Sequence, residues 1–129
     1  SVGIRNVNKL TATMPAHSTE VIIGDTDVLS TAPYRMTVAG FADLIGKLNA
    51  INDWHLGVLI NGDHYCRSID TLVMDYVYDI LGKAEAIKNR DAKAVGELMN
   101  ALLLTGASIS LYGSSRPISG AEHHFSHYL

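Results

Sequence analysis

The chain has 129 residues, of which 47% are hydrophobic and 18% charged, with a formal net charge of -3. This composition can bury a core, which excludes global disorder, and the lack of a basic block argues against nucleic acid as a partner. A single cysteine, Cys66, cannot form an internal disulfide, so we expect a reducing, cytoplasmic setting. Uninterrupted apolar runs such as residues 101–104 are short for a bilayer span, and we expect no membrane insertion.

Residues 1–32 are predicted to be rich in β-structure. Small and β-branched residues flank positions 6–8, which predicts two short strands joined by a turn. Residues 20–24 form a short apolar run bounded by turn residues, which predicts a buried strand. Asp25 and Asp27 then provide caps for one helical turn that reaches Ser30.

From residue 33 onwards the pattern becomes helical. The first long helix is predicted to run past Trp54 to a stop signal at Asn61 and Gly62. One stripe at spacings of three and four is predicted to be buried: Met36, Gly40, Leu44, Leu48 and Ile51.

Two further long helices are predicted. Asp63 is expected to cap the second helix, whose core stripe is Ile69, Leu72, Val73, Tyr76 and Ile80. Asp91 is expected to cap the third helix, whose core positions are Val95, Leu98, Met99, Leu102, Gly106 and Ile109. A glycine at position 106 of this stripe predicts close approach of another backbone.

Asp43 is the only charged residue between Met36 and Gly46. Because burial of a bare carboxylate is costly, Asp43 requires a compensating partner. One interpretation is an ion pair with Lys47 one helical turn later, and the other is a metal ligand. The spacing alone favours the ion pair.

The segment from residue 113 to 127 concentrates the polar chemistry of the chain. Ser119 is predicted to cap a helix, with Glu122 three residues later, and His123 and His127 then share one face. Together with Arg116, a helix N-terminus and imidazoles suit a small anionic substrate beside a metal or a proton-transfer group. The alternative is a polar surface helix that happens to contain several histidines.

Residues 113–127 read GSSRPISGAEHHFSH. This stretch resembles the signature of sn-glycerol-1-phosphate dehydrogenases, which belong with the iron-type alcohol dehydrogenases, glycerol dehydrogenase and dehydroquinate synthase. A second block, residues 32–47 followed by Asp53 and Trp54, and a weaker third block, residues 21–29, agree in order and separation.

The resemblance implies that this chain is mainly α with a short β-rich N-terminal part. It would be a central fragment of the dehydroquinate synthase-like fold, which has two domains, one α/β and one helical. Residues 1–32 would complete the nucleotide-binding domain, and residues 33–129 would begin the helical metal-binding catalytic domain. The glycine-rich nucleotide loop and a second metal histidine of the family lie outside this sequence. We therefore expect the isolated chain to be catalytically silent, to expose apolar surface and to self-associate, and we expect a homo-oligomer.

The family holds one divalent metal ion with a carboxylate and two histidines. The resemblance assigns Asp43 and His123 to this metal, which reverses the preference that spacing alone gives, with His124 as the competing histidine. It also implies that His127 faces the substrate, as a proton relay or phosphate ligand. In the dehydroquinate synthase branch, the positions of Arg116 and Ser119 contact substrate.

The implied activity is reversible hydride transfer between NAD(P)H and dihydroxyacetone phosphate, a phosphorylated triose, to give sn-glycerol 1-phosphate. The ligand set is compatible with zinc, nickel or iron. Two other interpretations stay open. One is a polyol dehydrogenase or sugar-phosphate cyclase of the same superfamily, and the other is a non-enzymatic helical module.

Overall fold

The computed structural model describes the backbone of residues 2–5, 11–14 and 19–128, and the side chains of residues 19–123 and 125. Strands β1 (Val2–Arg5) and β2 (Thr11–Met14) pair antiparallel. The helices within the described ranges are α1 (Thr26–Thr31), α2 (Tyr34–Asn61), α3 (Arg67–Leu81), α4 (Ala84–Lys88), α5 (Ala92–Tyr112) and α6 (Ala121–Tyr128). The predicted mainly helical architecture is therefore confirmed.

The β-rich character predicted for residues 1–32 is not confirmed. Strands β1 and β2 lie on either side of residues 6–10, which are outside the described residues. The buried strand predicted at residues 20–24 is wrong, because this run has no strand pairing and the side chains of Val21 and Ile23 are 73% and 87% exposed. Helix α1 follows it and packs on α5. The assignment of this segment to a nucleotide-binding domain stays a prediction.

Local capping signals predict several helix ends correctly. The carboxylate of Asp25 accepts the N–H groups of Asp27 and Val28 at the start of α1. Asp91 accepts the N–H of Ala94 at the start of α5, at 2.8 Å. Helix α2 ends at Gly62, which adopts the left-handed conformation (φ 70°) that glycine enters at little cost.

The buried faces are rotated relative to the predicted stripes. In α2, Leu44, Ile51 and Trp54 are buried, but Met36 is 62% exposed, and the buried residue of that first turn is Thr37. In α5 the buried residues are Ala94, Val95, Leu98, Ala101, Thr105 and Ser108. A Cβ on Gly106 would meet no atom within 4 Å, so the predicted close approach there is wrong. The close approach is at Gly96, where a Cβ would lie 2.8 Å from Thr26 Cγ2 of α1.

Trp54 joins α2 to α5 and to the connection that leads to α3. Its indole N–H donates to the carbonyl of His64 at 2.9 Å. Its ring centroid lies 5.2 Å from that of Tyr65 and 5.0 Å from that of Tyr112. Helix α3 begins after Cys66, so the prediction that Asp63 caps it is wrong. Asp63 instead contacts Arg116.

Helix α5 is long and apolar enough, by length and composition, to cross a bilayer. A core helix in contact with other helices meets the same criterion, and α5 packs against α1, α2, α3 and α4. One such helix is weak evidence for a membrane span. The absence of membrane insertion stays a prediction.

Candidate metal and substrate site

One face of α2 receives the segment that contains the histidine motif of residues 113–127. We call this face the α2 seam, and its residues follow each other at spacings of three and four: Asp43, Gly46, Ala50, Asp53 and Gly57. The segment 116–123 lies along it in the antiparallel direction. Its contacts are Arg116 beside Gly57, Gly120 beside Ala50 and Asp53, Glu122 beside Gly46, and His123 beside Asp43.

Asp43 and His123, 80 residues apart in the chain, lie together at one end of the α2 seam. Asp43 Oδ1 is 3.8 Å from His123 Nε2. The other carboxylate oxygen of Asp43 accepts a hydrogen bond from Lys47 Nζ at 2.8 Å. The ion pair predicted from spacing and the proximity implied by the family resemblance therefore coexist, because each uses a different oxygen of the same carboxylate.

The buried member of the ion pair is the lysine. The side chain of Lys47 is 4% exposed, whereas that of Asp43 is 44% exposed. Lys47 Nζ also donates to the backbone carbonyl of Asp43 at 3.3 Å. Asp43 thus needs no burial to be held in place, since the buried ammonium group fixes one of its oxygens and leaves the other free to face His123.

The second ring nitrogen of His123 has a carboxylate partner. Nδ1 lies 2.7 Å from Glu122 Oε1. Burial alone would raise the pKa of Glu122, but the Gly120 N–H and the His123 ring outweigh it and hold that pKa below its ordinary value. An ionised carboxylate accepts and does not donate, so the proton of this hydrogen bond belongs to Nδ1. Nε2 then faces Asp43, as in metal sites where a carboxylate orients the ligating histidine.

The Asp43–His123 pair fits two positions of a metal site. Tetrahedral ligands at the usual bond lengths of a zinc ion lie about 3.4 Å apart. A closure of a few tenths of an ångström would bring the observed pair to that separation. Within residues 19–123 and 125, no group of three or more His, Cys, Asp and Glu side chains is arranged to hold a metal. The side chains of His124 and His127 are outside the described set.

Helix α6 begins at Ala121, one residue later than a cap at Ser119 would place it. Its first N–H, from Ala121, donates to Asp53 Oδ2 at 2.6 Å, and the Gly120 N–H donates to Glu122 Oε1 at 3.0 Å. The N–H of Ser119 instead donates to the carbonyl of Ser115. The prediction failed because the acceptor comes from α2, 68 residues earlier. The available signal was the spacing of Asp43 and Asp53 around the small residues of the α2 seam.

The carboxylates of Asp53 and Glu122 make the start of α6 more negative than the sequence predicts. A pocket of about 260 Å³ there is lined by Asn49, Asn52, Asp53, Ala121, Glu122 and Phe125. This lining contains two carboxylates and no cationic side chain. The predicted set of free N–H groups for an anion is therefore wrong, since carboxylates of the chain itself accept the N–H groups of Gly120 and Ala121.

Arg116 lies far from the Asp43–His123 pair. Its Nη2 is 3.2 Å from Asp63 Oδ2, beside Gly57. Helix α2 rises about 21 Å between Asp43 and Gly57, which are 14 residues apart at about 1.5 Å each. The structure thus brings together Asp43 and His123 but not Arg116. The substrate-binding roles of Arg116, Ser119 and His127 stay predictions.

No protein-family model matches the chain. Curated relatives do, and three of them carry the name glycerol-1-phosphate dehydrogenase (NAD(P)+). The relative from Thermococcus kodakarensis is 40% identical over 84% of the chain and 31% of its own length. The relative from Thermococcus sibiricus is 33% identical over 100% of the chain and 37% of its own length. The relative from Methanothermobacter thermautotrophicus is 38% identical over 92% of the chain and 34% of its own length.

The chain spans about a third of the length of these relatives. The match to the Thermococcus sibiricus relative covers the whole chain and therefore includes the α2 seam, the core helices and the segment that contains His123. The resemblance to the sn-glycerol-1-phosphate dehydrogenase family is therefore confirmed, and the chain corresponds to a segment of that family.

Proposed function

We propose that this chain forms part of a metal-dependent, NAD(P)-linked dehydrogenase that interconverts dihydroxyacetone phosphate and sn-glycerol 1-phosphate in the cytoplasm. The names of the relatives support the reaction class and the cofactor. The observation that carries the proposal is the 3.8 Å separation of Asp43 Oδ1 and His123 Nε2. Two residues so far apart in the chain meet at the positions that the family resemblance assigns to a metal.

Each residue around this pair has a separate task. Asp43 and His123 would hold a zinc, nickel or iron ion through Oδ1 and Nε2. Lys47 fixes the second oxygen of Asp43, and Glu122 fixes the Nδ1 proton of His123. The chemistry that such an ion supplies when bound is Lewis-acid polarisation of a carbonyl oxygen, and the nicotinamide cofactor supplies the hydride.

The sequence predicts that Arg116, Ser119 and His127 bind the substrate phosphate. The N-terminus of α6 is unsuited to this task because Asp53 and Glu122 accept its N–H groups. Arg116 is 50% exposed and paired with Asp63, but it lies about 21 Å along α2 from the Asp43–His123 pair, farther than the length of a triose phosphate. Arg116 therefore cannot hold the phosphate of a substrate whose carbonyl oxygen is polarised at that pair, and Ser119 and His127 remain the proposed phosphate ligands.

Metal affinity tests the proposal most directly. Zinc or nickel ions are titrated into the full-length protein against a chromophoric chelator, and Asp43→Asn and His123→Ala are compared with wild type. Removal of a ligand is expected to weaken binding at least about 10-fold, the lower bound seen for loss of an outer partner. Asp79→Asn is the matched control, because Asp79 on α3 forms the same i,i+4 pair with Lys83. Equal affinity in all four proteins rejects the metal site.

The reaction is tested by the oxidation of NAD(P)H in the presence of dihydroxyacetone phosphate. The full-length protein is expected to turn over, and the isolated chain is not, because it covers about a third of its relatives. Glycerol and dihydroxyacetone without phosphate serve as competing substrates. A preference for them would favour a polyol dehydrogenase instead.

A structural role for Asp43 is the second candidate, and the burial of Lys47 supports it. A buried lysine that loses its only carboxylate partner among the described contacts is destabilising, whether or not a metal is bound. If Asp43 has only this role, Asp43→Asn lowers the unfolding free energy while metal affinity is unchanged. The combined readout of stability and metal affinity therefore separates the two candidates.

A further inference from the structure

A second carboxylate on the α2 seam lies where α6 begins. Asp53 is ten residues after Asp43 on the same face of α2, and its Oδ2 accepts the N–H of Ala121 at 2.6 Å. Unlike Asp43, it does not contact His123. It contacts the backbone that precedes His123 by two residues.

The backbone of Gly120 lies directly against α2, beside the carboxylate of Asp53. A Cβ at position 120 would lie 2.5 Å from Asp53 Oδ2, 2.7 Å from Glu122 Oε2 and 2.8 Å from the Cα of Ala50. The last of these atoms belongs to the backbone of α2 and cannot rotate away. Only glycine therefore allows the chain to approach α2 this closely.

We propose that Asp53 and Gly120 are positioning residues that fix the register of α6 on α2, so that His123 meets Asp43. The proposal rests on the proposed metal role of the Asp43–His123 pair. In a helix, a shift of one residue moves a side chain by about 1.5 Å along the axis and rotates it by about 100°. A shift of that size would turn Nε2 of His123 away from Asp43, because the two atoms lie 3.8 Å apart in the observed register.

Among the described side chains, few groups are placed to fix this register. In the described part of the chain, α6 packs chiefly against α2. Between Gly120 and Glu122, the contacts to α2 are the Asp53 hydrogen bond, the fit of Gly120 on Ala50 and the approach of Glu122 to Gly46, where an added Cβ would lie 3.5 Å from Glu122 Cγ. The last contact involves a flexible side chain, so the first two define the register.

The test compares Asp53→Ala, Asp53→Asn and Gly120→Ala in the full-length zinc-loaded protein. Asp53→Ala and Gly120→Ala are expected to weaken zinc affinity about 10–100-fold, the range for groups that orient a metal ligand. Asp53→Asn is expected to restore most of the affinity, because its amide oxygen also accepts an N–H at a helix start. Hydrogen exchange of the Ala121 and His123 amides is followed in parallel and is expected to accelerate in the first two variants.

Asp91→Ala is the matched control, since Asp91 caps α5 with the same kind of hydrogen bond, away from the metal pair. If Asp53→Ala accelerates amide exchange but leaves zinc affinity at the level of Asp91→Ala, the positioning proposal is overturned. If Asp43→Asn and His123→Ala leave zinc affinity unchanged, the proposed function itself is overturned. The two failures thus give different results.

Discussion

Helix α2 presents two faces that are built on different principles. The core face contributes apolar side chains such as Leu44, Ile51 and Trp54, which are fully or almost fully buried. The α2 seam, rotated by about a third of a turn, combines small residues with two carboxylates. Apolar burial is non-directional, so most of the core face depends less on individual atom pairs. The seam depends on individual atom pairs, and a small displacement of α6 would separate them.

The core face carries the largest expected stability effect. Trp54→Ala removes a fully buried indole that contacts Tyr65 and Tyr112. We expect the unfolding free energy to fall by about 3–5 kcal/mol, as for other buried aromatic truncations. Urea denaturation followed by circular dichroism measures this.

The control for this change is Leu59→Ala, also on α2, where the side chain is 81% exposed. Its effect should stay within about 0.5 kcal/mol. Similar losses for Trp54→Ala and Leu59→Ala would contradict the assignment of Trp54 to the core.

The seam has its strictest packing requirement at Gly120. We expect Gly120→Ala to lower the unfolding free energy by about 1–3 kcal/mol, because the added Cβ would overlap the backbone of α2 at Ala50. Gly106→Ala, in α5, should have the opposite sign. Its Cβ would enter open space, and alanine favours a helix interior by up to about 1 kcal/mol. Thermal denaturation of both variants checks the signs, and a stabilising Gly120→Ala would show that the seam is loosely packed.

The Asp43–Lys47 and Asp79–Lys83 pairs have the same sequence spacing but differ in burial. The lysine of the first pair is 4% exposed and that of the second 32%. We expect Asp43→Asn to cost about 1–2 kcal/mol, less than for a fully buried pair because Asp43 itself is 44% exposed. Asp79→Asn should give no measurable change in the same urea titration. Equal losses in the two variants would mean that burial of Lys47 is unimportant.

The smallest effect is expected from the pH dependence of Glu122. The folded pKa of Glu122 lies below its ordinary value of 4.5, despite the opposing effect of burial. The stabilisation is thus present above about pH 4.5 and is lost as the pH falls through the folded pKa. We expect Glu122→Gln to be less stable than wild type at pH 7, with a difference that shrinks below pH 4. Unfolding curves at the two pH values measure this, and a difference that grows on acidification would contradict it.

Local signals allowed the sequence to predict the helices well. Asp25, Asp91 and Gly62 act on backbone groups within a few residues, so their effect can be read without knowledge of the fold. The faces were harder to predict. Met36 satisfies the helical spacing but lies outside the core, and Gly106 belongs to the predicted core stripe of α5 but faces open space, because burial depends on which helices pack nearby.

The candidate site shows the same division. The sequence by itself determined the helical character, the i,i+4 spacing that lets Lys47 reach Asp43 and the family resemblance, since each depends on nearby residues or on an ordered motif. Tertiary structure alone decided that Asp53 accepts the first N–H of α6, that Arg116 pairs with Asp63, and that His123 meets Asp43. These contacts join residues 53 to 80 positions apart, and the free energy that selects them comes from the packing of α6 on α2, which no local pattern contains.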